Sequence, residues 1–263
     1  MKALSQRRRH PLAAVALLLL GLLVTGGLYA AVSGANEAQA ASTAYSADDV
    51  NQGEKLFIAN CATCHGMDAS GSANGPSLVG VGAASVDFQV GTGRMPMAMQ
   101  GPQAQQKPVQ FTEEQTSQLA AYVASLGAGP AVPDTELTNA AAGNAAEGGE
   151  LFRVNCAMCH NAAGAGGALT QGKFAPSLEG VSEKHIYEAM VTGPQNMPVF
   201  NDANISPEDK QSIIAFLKNI EANGSPGGAE LGSLGPVSEG LFIWTAGLGL
   251  VIAFTIWLTA RSS

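Results

Sequence analysis

All four cysteines of this chain lie in two copies of one pentapeptide, Cys61-Ala62-Thr63-Cys64-His65 and Cys156-Ala157-Met158-Cys159-His160. Two thiols one helical turn apart can each form a thioether to one vinyl group of a single porphyrin, and the adjacent histidine then reaches the iron. Competing uses of cysteine fit poorly. A zinc ribbon places its second pair within about 20 residues, far closer than Cys64 stands to Cys156. A thioredoxin-like redox pair gives no reason for a histidine after both copies. The spacing therefore predicts two covalently bound haem c groups.

Both ends of the chain are apolar. Residues 11–32 carry no charge and follow Lys2, Arg7, Arg8 and Arg9, and residues 241–260 carry Trp244 and Trp257 and precede Arg261. Each run is long enough to span a bilayer as a helix. At about 1.5 Å per residue the two indoles stand roughly 20 Å apart, suited to the two interfacial belts. Residues 33–239 hold all 21 acidic residues and eight of the 13 basic ones, a balance of 8 − 21 = −13. The positive-inside rule then puts residues 1–10 and the far C-terminus in the cytoplasm and both haem motifs outside, in a multi-pass protein of the cell membrane. The first run has a second reading: with Ala38-Gln39-Ala40 it resembles a secretory signal peptide. Its length, beyond the usual h-region of about 7 to 15 residues, favours a retained anchor.

The acidic middle is a tandem repeat. Gly53-Glu54-Lys55-Leu56-Phe57 leads into the first motif and Gly149-Glu150-Leu151-Phe152 into the second, and Gly53 with Phe57, like Gly148 with Phe152, shares one helix face. Each repeat closes with a second helix. One starts at Thr112 as N-cap, with Gln115 completing a capping box; the other starts at Ser206, with Pro207 in the first turn. Tyr122 and Phe216 are then equivalent aromatics facing the first helix of their repeat. The expected fold is all-α, with domains over 48–127 and 145–222, linkers over 128–144 and 223–240, and membrane helices at both ends. The linkers' Gly, Ala and Pro content suggests mobility.

Between the helices, Pro76-Ser77-Leu78 matches Pro176-Ser177-Leu178, and Thr92-Gly93-Arg94-Met95-Pro96 matches Thr192-Gly193-Pro194-Gln195-Asn196-Met197-Pro198. The stretch from His160 to Met197 is longer than that from His65 to Met95, and the surplus splits between two loops, where insertions are tolerated. A thioether is a soft iron ligand that raises the haem potential. Met95 and Met197 are the candidate sixth ligands, with Met97, Met99 and Met190 as alternatives and pocket lining as the plainer role. His185, on an expected helix, reads as solvent-facing. Arg94 reads equally as a propionate contact or a surface residue. No basic stripe or phosphate loop points to nucleic acid or nucleotide.

Residues 48–127 and 145–222 resemble class I cytochrome c domains. That resemblance implies that a proline carbonyl, here of Pro76 and Pro176, accepts the N–H of the iron-binding imidazole. The whole arrangement resembles the dihaem cytochrome c subunits of actinobacterial cytochrome bcc complexes, which oxidise quinol. The resemblance implies a cytochrome b subunit and a Rieske iron–sulfur subunit as partners, and electrons passed by outer-sphere transfer to an aa3-type oxidase in a supercomplex. The chain would act as one subunit of a quinol–cytochrome c reductase, with no chemistry of its own beyond electron transfer. A dihaem subunit of a cbb3-type oxidase and a tethered shuttle for another dehydrogenase are the alternatives. A dihaem peroxidase fits less well, because the paired Met-Pro motifs leave no displaceable ligand.

Overall fold

A computed structural model describes residues 11–37, 45–224 and 236–261. The chain divides into two units, Met1–Ala44 and Tyr45–Ser263. The first contains one described helix, α1 (Pro11–Glu37). It runs past the expected end at 32, because no proline stops it. Ala38-Gln39-Ala40, the candidate cleavage site, lies outside the described residues, as do residues 1–10 and 225–235.

The second unit is built from two similar helical bundles. In the first, α2 (Ala47–Asn60) starts in a capping box between Ser46 and Asp49 and stops where the first haem motif begins. A single turn follows over Ala62–His65, then α3 (Ala83–Gly91) and α4 (Glu113–Ser125). The second bundle repeats the order: α5 (Ala145–Asn155), the turn Ala157–His160, α6 (Glu183–Thr192) and α7 (Pro207–Asn223). The expected capping box at Thr112 forms, and the expected N-cap at Ser206 forms with Pro207 in the first turn and is closed into a capping box by Asp209.

Each bundle is held by one helix crossing. At Gly53 a Cβ would overlap the carbonyl oxygen of Gln118, and at Gly148 a Cβ would overlap that of Ser212, so only glycine lets these backbones meet. One turn on, Phe57 packs on Tyr122 with ring centroids 5.2 Å apart, and Phe152 packs on Phe216 at 5.4 Å. Apolar clusters grow from these pairs, with Leu119 and Val123 buried in one and Ile213, Ile214 and Leu217 in the other. Full burial of such side chains contributes roughly 1.5–3 kcal/mol each.

Three expectations need correction. The fold is mostly helical but not wholly so: Gly167–Ala168 and Phe174–Ala175 pair as a two-stranded antiparallel hairpin. The linker 128–144 is held in place. It contains a helical turn at Thr135–Thr138 and a 3-10 turn at Ala140–Ala142, the carbonyl of Pro130 accepts from the amide of Ala84 (3.0 Å), and that of Glu136 accepts from Gln211 (2.6 Å). Backbone groups with such partners offset the freedom that the Gly and Ala content would otherwise give. Finally, His185 does not face solvent; it packs edge-on to Phe88 of the first bundle.

The bundles dock through α3 and α6 and through two loops. The Gln103 side chain donates to the carbonyl of Phe174 (2.8 Å) and accepts from its amide (2.9 Å), and the amide of Ala104 donates to Gln195 (3.3 Å). At the C-terminus, α8 (Pro236–Phe242) runs through a π-helical turn at Ile243–Gly247 into α9 (Leu248–Arg261). Glu239–Ala260 is long and apolar enough to cross a membrane, and none of it is buried in the protein. Its start lies slightly before the expected 241.

Candidate haem-binding sites

The helix crossing aims each pentapeptide. In both repeats the first helix ends at an asparagine whose side chain caps a carbonyl one turn back, Asn60 to Leu56 (2.8 Å) and Asn155 to Leu151 (2.9 Å). The next residue, Cys61 or Cys156, leaves helical geometry at φ −121°, and the single turn carrying the second cysteine and the histidine begins there. Cys61 is half-buried and Cys156 buried, whereas Cys64 is exposed and Cys159 half-buried. Burial, with the neighbouring thiol second, pushes both Cys61 and Cys156 up to about 11. Thiols so protonated are unsuited to the thiolate chemistry of redox pairs.

His65 and His160 are each fixed through Nδ1. The carbonyl of Pro76 lies 2.8 Å from Nδ1 of His65, and that of Pro176 lies 3.1 Å from Nδ1 of His160. A carbonyl can only accept, so Nδ1 carries the proton and Nε2 presents its lone pair. Burial lowers the pKa of His160, partly opposed by the Pro176 bond, and so keeps the ring neutral. The backbone after each histidine turns back: the amides of Gly71 and Gly166 donate to the carbonyls of His65 (2.8 Å) and His160 (2.9 Å).

On the distal side, Met95 packs against the first core cluster and Met197 against the second. The alternatives are placed differently. Met97 and Met99 are 38% and 78% exposed, whereas Met190, 2% exposed within α6, lines the second cavity together with Met197. Both methionine loops leave their helix the same way. The Thr92 hydroxyl caps the carbonyl of Phe88, the Thr192 hydroxyl caps that of Glu188 (2.7 Å), and Gly93 and Gly193 follow with positive φ.

In the second repeat these groups line one cavity of about 960 Å³, with Cys156, Cys159 and His160 in its wall together with Met197. That volume is at the upper end of the ~300–1,000 Å³ typical of cofactor sites, and the donor set is that of a covalently held His/Met iron porphyrin, so the residues present fit haem c. Phe88, Arg94 and Gln103 of the first repeat complete the wall. The Arg94 guanidinium is half-buried, 4.9 Å above the Phe88 ring. For Arg94 a propionate contact is one of the two readings of the sequence; Phe88 and Gln103 are not expected from the motifs. A length difference points to Gln103: the stretch from Met95 to Thr112 is nearly twice that from Met197 to Ser206, and Gln103 sits in the surplus.

The family model described as cytochrome c oxidase, cbb3-type, subunit III matches residues 48–123 and again 143–217. A cytochrome bc1 complex cytochrome c subunit of Corynebacterium efficiens is 44% identical over 99% of this chain and 94% of its own length. Its counterparts in Mycobacterium bovis and Mycobacterium leprae are 43% and 42% identical, over 98% and 94% of this chain and 94% and 87% of theirs.

Proposed function

The chain belongs to the family of cytochrome bc1 complex cytochrome c subunits, and from that membership we propose that it is the membrane-bound electron-transfer subunit of such a complex, carrying two covalent haem c groups. Cys61 and Cys64 would hold one haem and Cys156 and Cys159 the other, with His65 and Met95, and His160 and Met197, as the axial pairs. When bound, the haems supply one-electron redox chemistry. The chain's residues supply the setting for it. Pro76 and Pro176 fix each imidazole tautomer through Nδ1, leaving Nε2 free to ligate. The apolar walls exclude water. Arg94, desolvated in the second cavity's wall, offers a cation for a carboxylate of the group bound there.

The proposed organisation has cytochrome domains over 48–127 and 145–222, outside the cell, between membrane helices at 11–32 and 241–260. Its partners would be a cytochrome b subunit and a Rieske subunit as donor, with an aa3-type oxidase as acceptor. The observation that carries this reading is the doubled histidine–proline carbonyl bond, each with a methionine on the same bundle's core. One other reading has a specific observation behind it: the family model over both repeats is described as a cbb3-type oxidase subunit. That model covers only the two repeats, whereas the bc1 relatives match nearly the full chain, both apolar ends included.

Affinity purification of the full chain in mild detergent, with pyridine haemochrome spectra and a quinol-oxidation assay on the same sample, separates the two. Haem b recovered with quinol oxidation supports the bc complex, and added haem a indicates the oxidase supercomplex. Two c haems per chain without b, or oxygen reduction without quinol oxidation, overturns it.

A further inference from the structure

The interface between the two bundles holds a cluster of titratable side chains, of which His185 also lines the second cavity while Asp87 and Glu188 do not. α6 carries His185 and Glu188, spaced i and i+3 and so on one face, and α3 of the other bundle carries Asp87 opposite them. Nε2 of His185 lies 3.7 Å from Oδ2 of Asp87 and 3.9 Å from Oε2 of Glu188. One ligand atom from each of the three lies within 4.8 Å of the others. Glu188 is 0% exposed, and when ionised neither of its carboxylate oxygens has a hydrogen-bond donor among the described residues. A fully buried carboxylate left in that state is strongly unfavourable.

We infer that Asp87, His185 and Glu188 form a binding site for a zinc-class divalent cation that ties the first bundle to the second. One imidazole nitrogen with two carboxylate oxygens suits a borderline first-row ion and is a poor match to calcium or magnesium, which take oxygen ligands. Zinc bonds these atoms at about 2.0–2.2 Å, which puts tetrahedral ligand atoms about 3.3 Å apart. The two separations from His185 close to that with shifts of a few tenths of an ångström per side chain, and the Asp87 and Glu188 oxygens close from within 4.8 Å. Lys184, 44% exposed, marks the edge of the cluster from which water would supply the fourth ligand.

Charge points the same way. With both carboxylates ionised and His185 neutral, the cluster and Lys184 sum to −1, and a divalent cation brings this to +1. Lys184, 2.6 Å from Asp87 and 44% exposed, is then free to turn to solvent. Without a cation the cluster must hold a proton instead: burial first, then Asp87, pushes Glu188 up to about 10. Burial also opposes ionisation of Asp87, yet His185 and Lys184 hold it down at about 2. A cation replaces that proton and binds Glu188 as its anion.

The test uses the full-length haem-loaded chain in detergent, stripped with EDTA and titrated with Zn²⁺ alone. Zinc retained after gel filtration is counted against haem iron by mass spectrometry, and affinity is read by calorimetry. The expected result is one zinc per chain, at least tenfold weaker binding in Glu188→Gln and in Asp87→Asn, and threefold or more tighter binding in Lys184→Ala, which removes the competing cation. Haem absorbance and helical circular dichroism check that each variant folds. Because Lys184 is half-exposed, its variant keeps the test decisive if the buried substitutions unfold the chain. No retained zinc in the wild type, equal binding in Glu188→Gln, or a protonated Glu188 carbonyl band in the infrared that zinc leaves unchanged overturns the site.

Discussion

The two bundles share one helix crossing and one pentapeptide geometry, and they differ where each has an extra length of chain. The first is longer after its methionine, from Met95 to Thr112 against Met197 to Ser206; the second is longer after its histidine, from His160 to Pro176 against His65 to Pro76. These two surpluses meet. The second folds as the hairpin carrying Phe174, and the first carries Gln103, whose amide pairs with the Phe174 backbone at both ends. The repeated part of the sequence thus builds the same histidine–proline bond and the same helix crossing twice, and the unrepeated part joins the two bundles. The facing helices follow the same rule: Asp87 in α3 takes the place that Tyr187 has in α6, and it reaches across to Lys184 rather than inward. Tyr187 instead packs beneath the buried Lys210, whose counterpart in the first bundle is Thr116.

If the pockets are equivalent, removing the thiols of either should have the same large effect. Cys61→Ser with Cys64→Ser, and separately Cys156→Ser with Cys159→Ser, should each halve the haem c per chain measured by pyridine haemochrome. A variant pair that loses both haems would mean that one bundle cannot form without the other. The helix crossings give the next largest effect. Gly53→Ala and Gly148→Ala each drive a methyl into a backbone carbonyl, and overpacking of this kind costs about 1–3 kcal/mol or more. Both should lower the thermal midpoint by several degrees and by similar amounts. A large loss in one and none in the other would show that only one crossing is close-packed.

The joint between the bundles should give a smaller effect. Gln103→Ala removes two hydrogen bonds at the partly buried edge of the interface, and each is worth about 0.5–1.5 kcal/mol. Amide exchange should quicken over residues 167–175 and leave the Phe57–Tyr122 crossing unchanged. Exchange rising equally in both bundles would mean that they unfold as one body.

The equivalent features were legible in the sequence because they rest on local chemistry. Capping at Thr112 and Ser206, the glycine and aromatic face of each first helix, and the Cys-x-x-Cys-His turns are written within one or two helical turns of chain. The candidates Met95 and Met197 come from aligning one repeat on the other, and each packs against the core cluster of its own bundle. The joint was not legible. Gln103 pairs with Phe174, and Ala104 with Gln195, across long stretches of sequence through loops with no periodicity. His185 reads as a surface histidine when its helix is taken alone; its burial comes from α3 of the other bundle, contacts that no local pattern encodes. Mobility of the 128–144 linker is overread for the same reason, since composition reports chain freedom but not the distant carbonyls and amides that remove it.

The smallest effect is expected where the two bundles differ by one atom. Tyr122 and Phe216 occupy the same place on the second helix, and their contacts with Phe57 and Phe152 match closely, at 5.2 Å and 42° against 5.4 Å and 43°. The ring, not the hydroxyl, therefore carries the packing. Burial raises the pKa of Tyr122, with Glu54 and Asp68 adding to it, so the hydroxyl stays protonated at neutral pH and no charge is lost with it. Tyr122→Phe should change unfolding free energy by no more than about 0.5 kcal/mol, the range of substitutions that touch no special feature. A destabilisation above about 1.5 kcal/mol would exceed one ordinary hydrogen bond. It would show that the first crossing depends on a polar contact that the second, with phenylalanine in that place, does without.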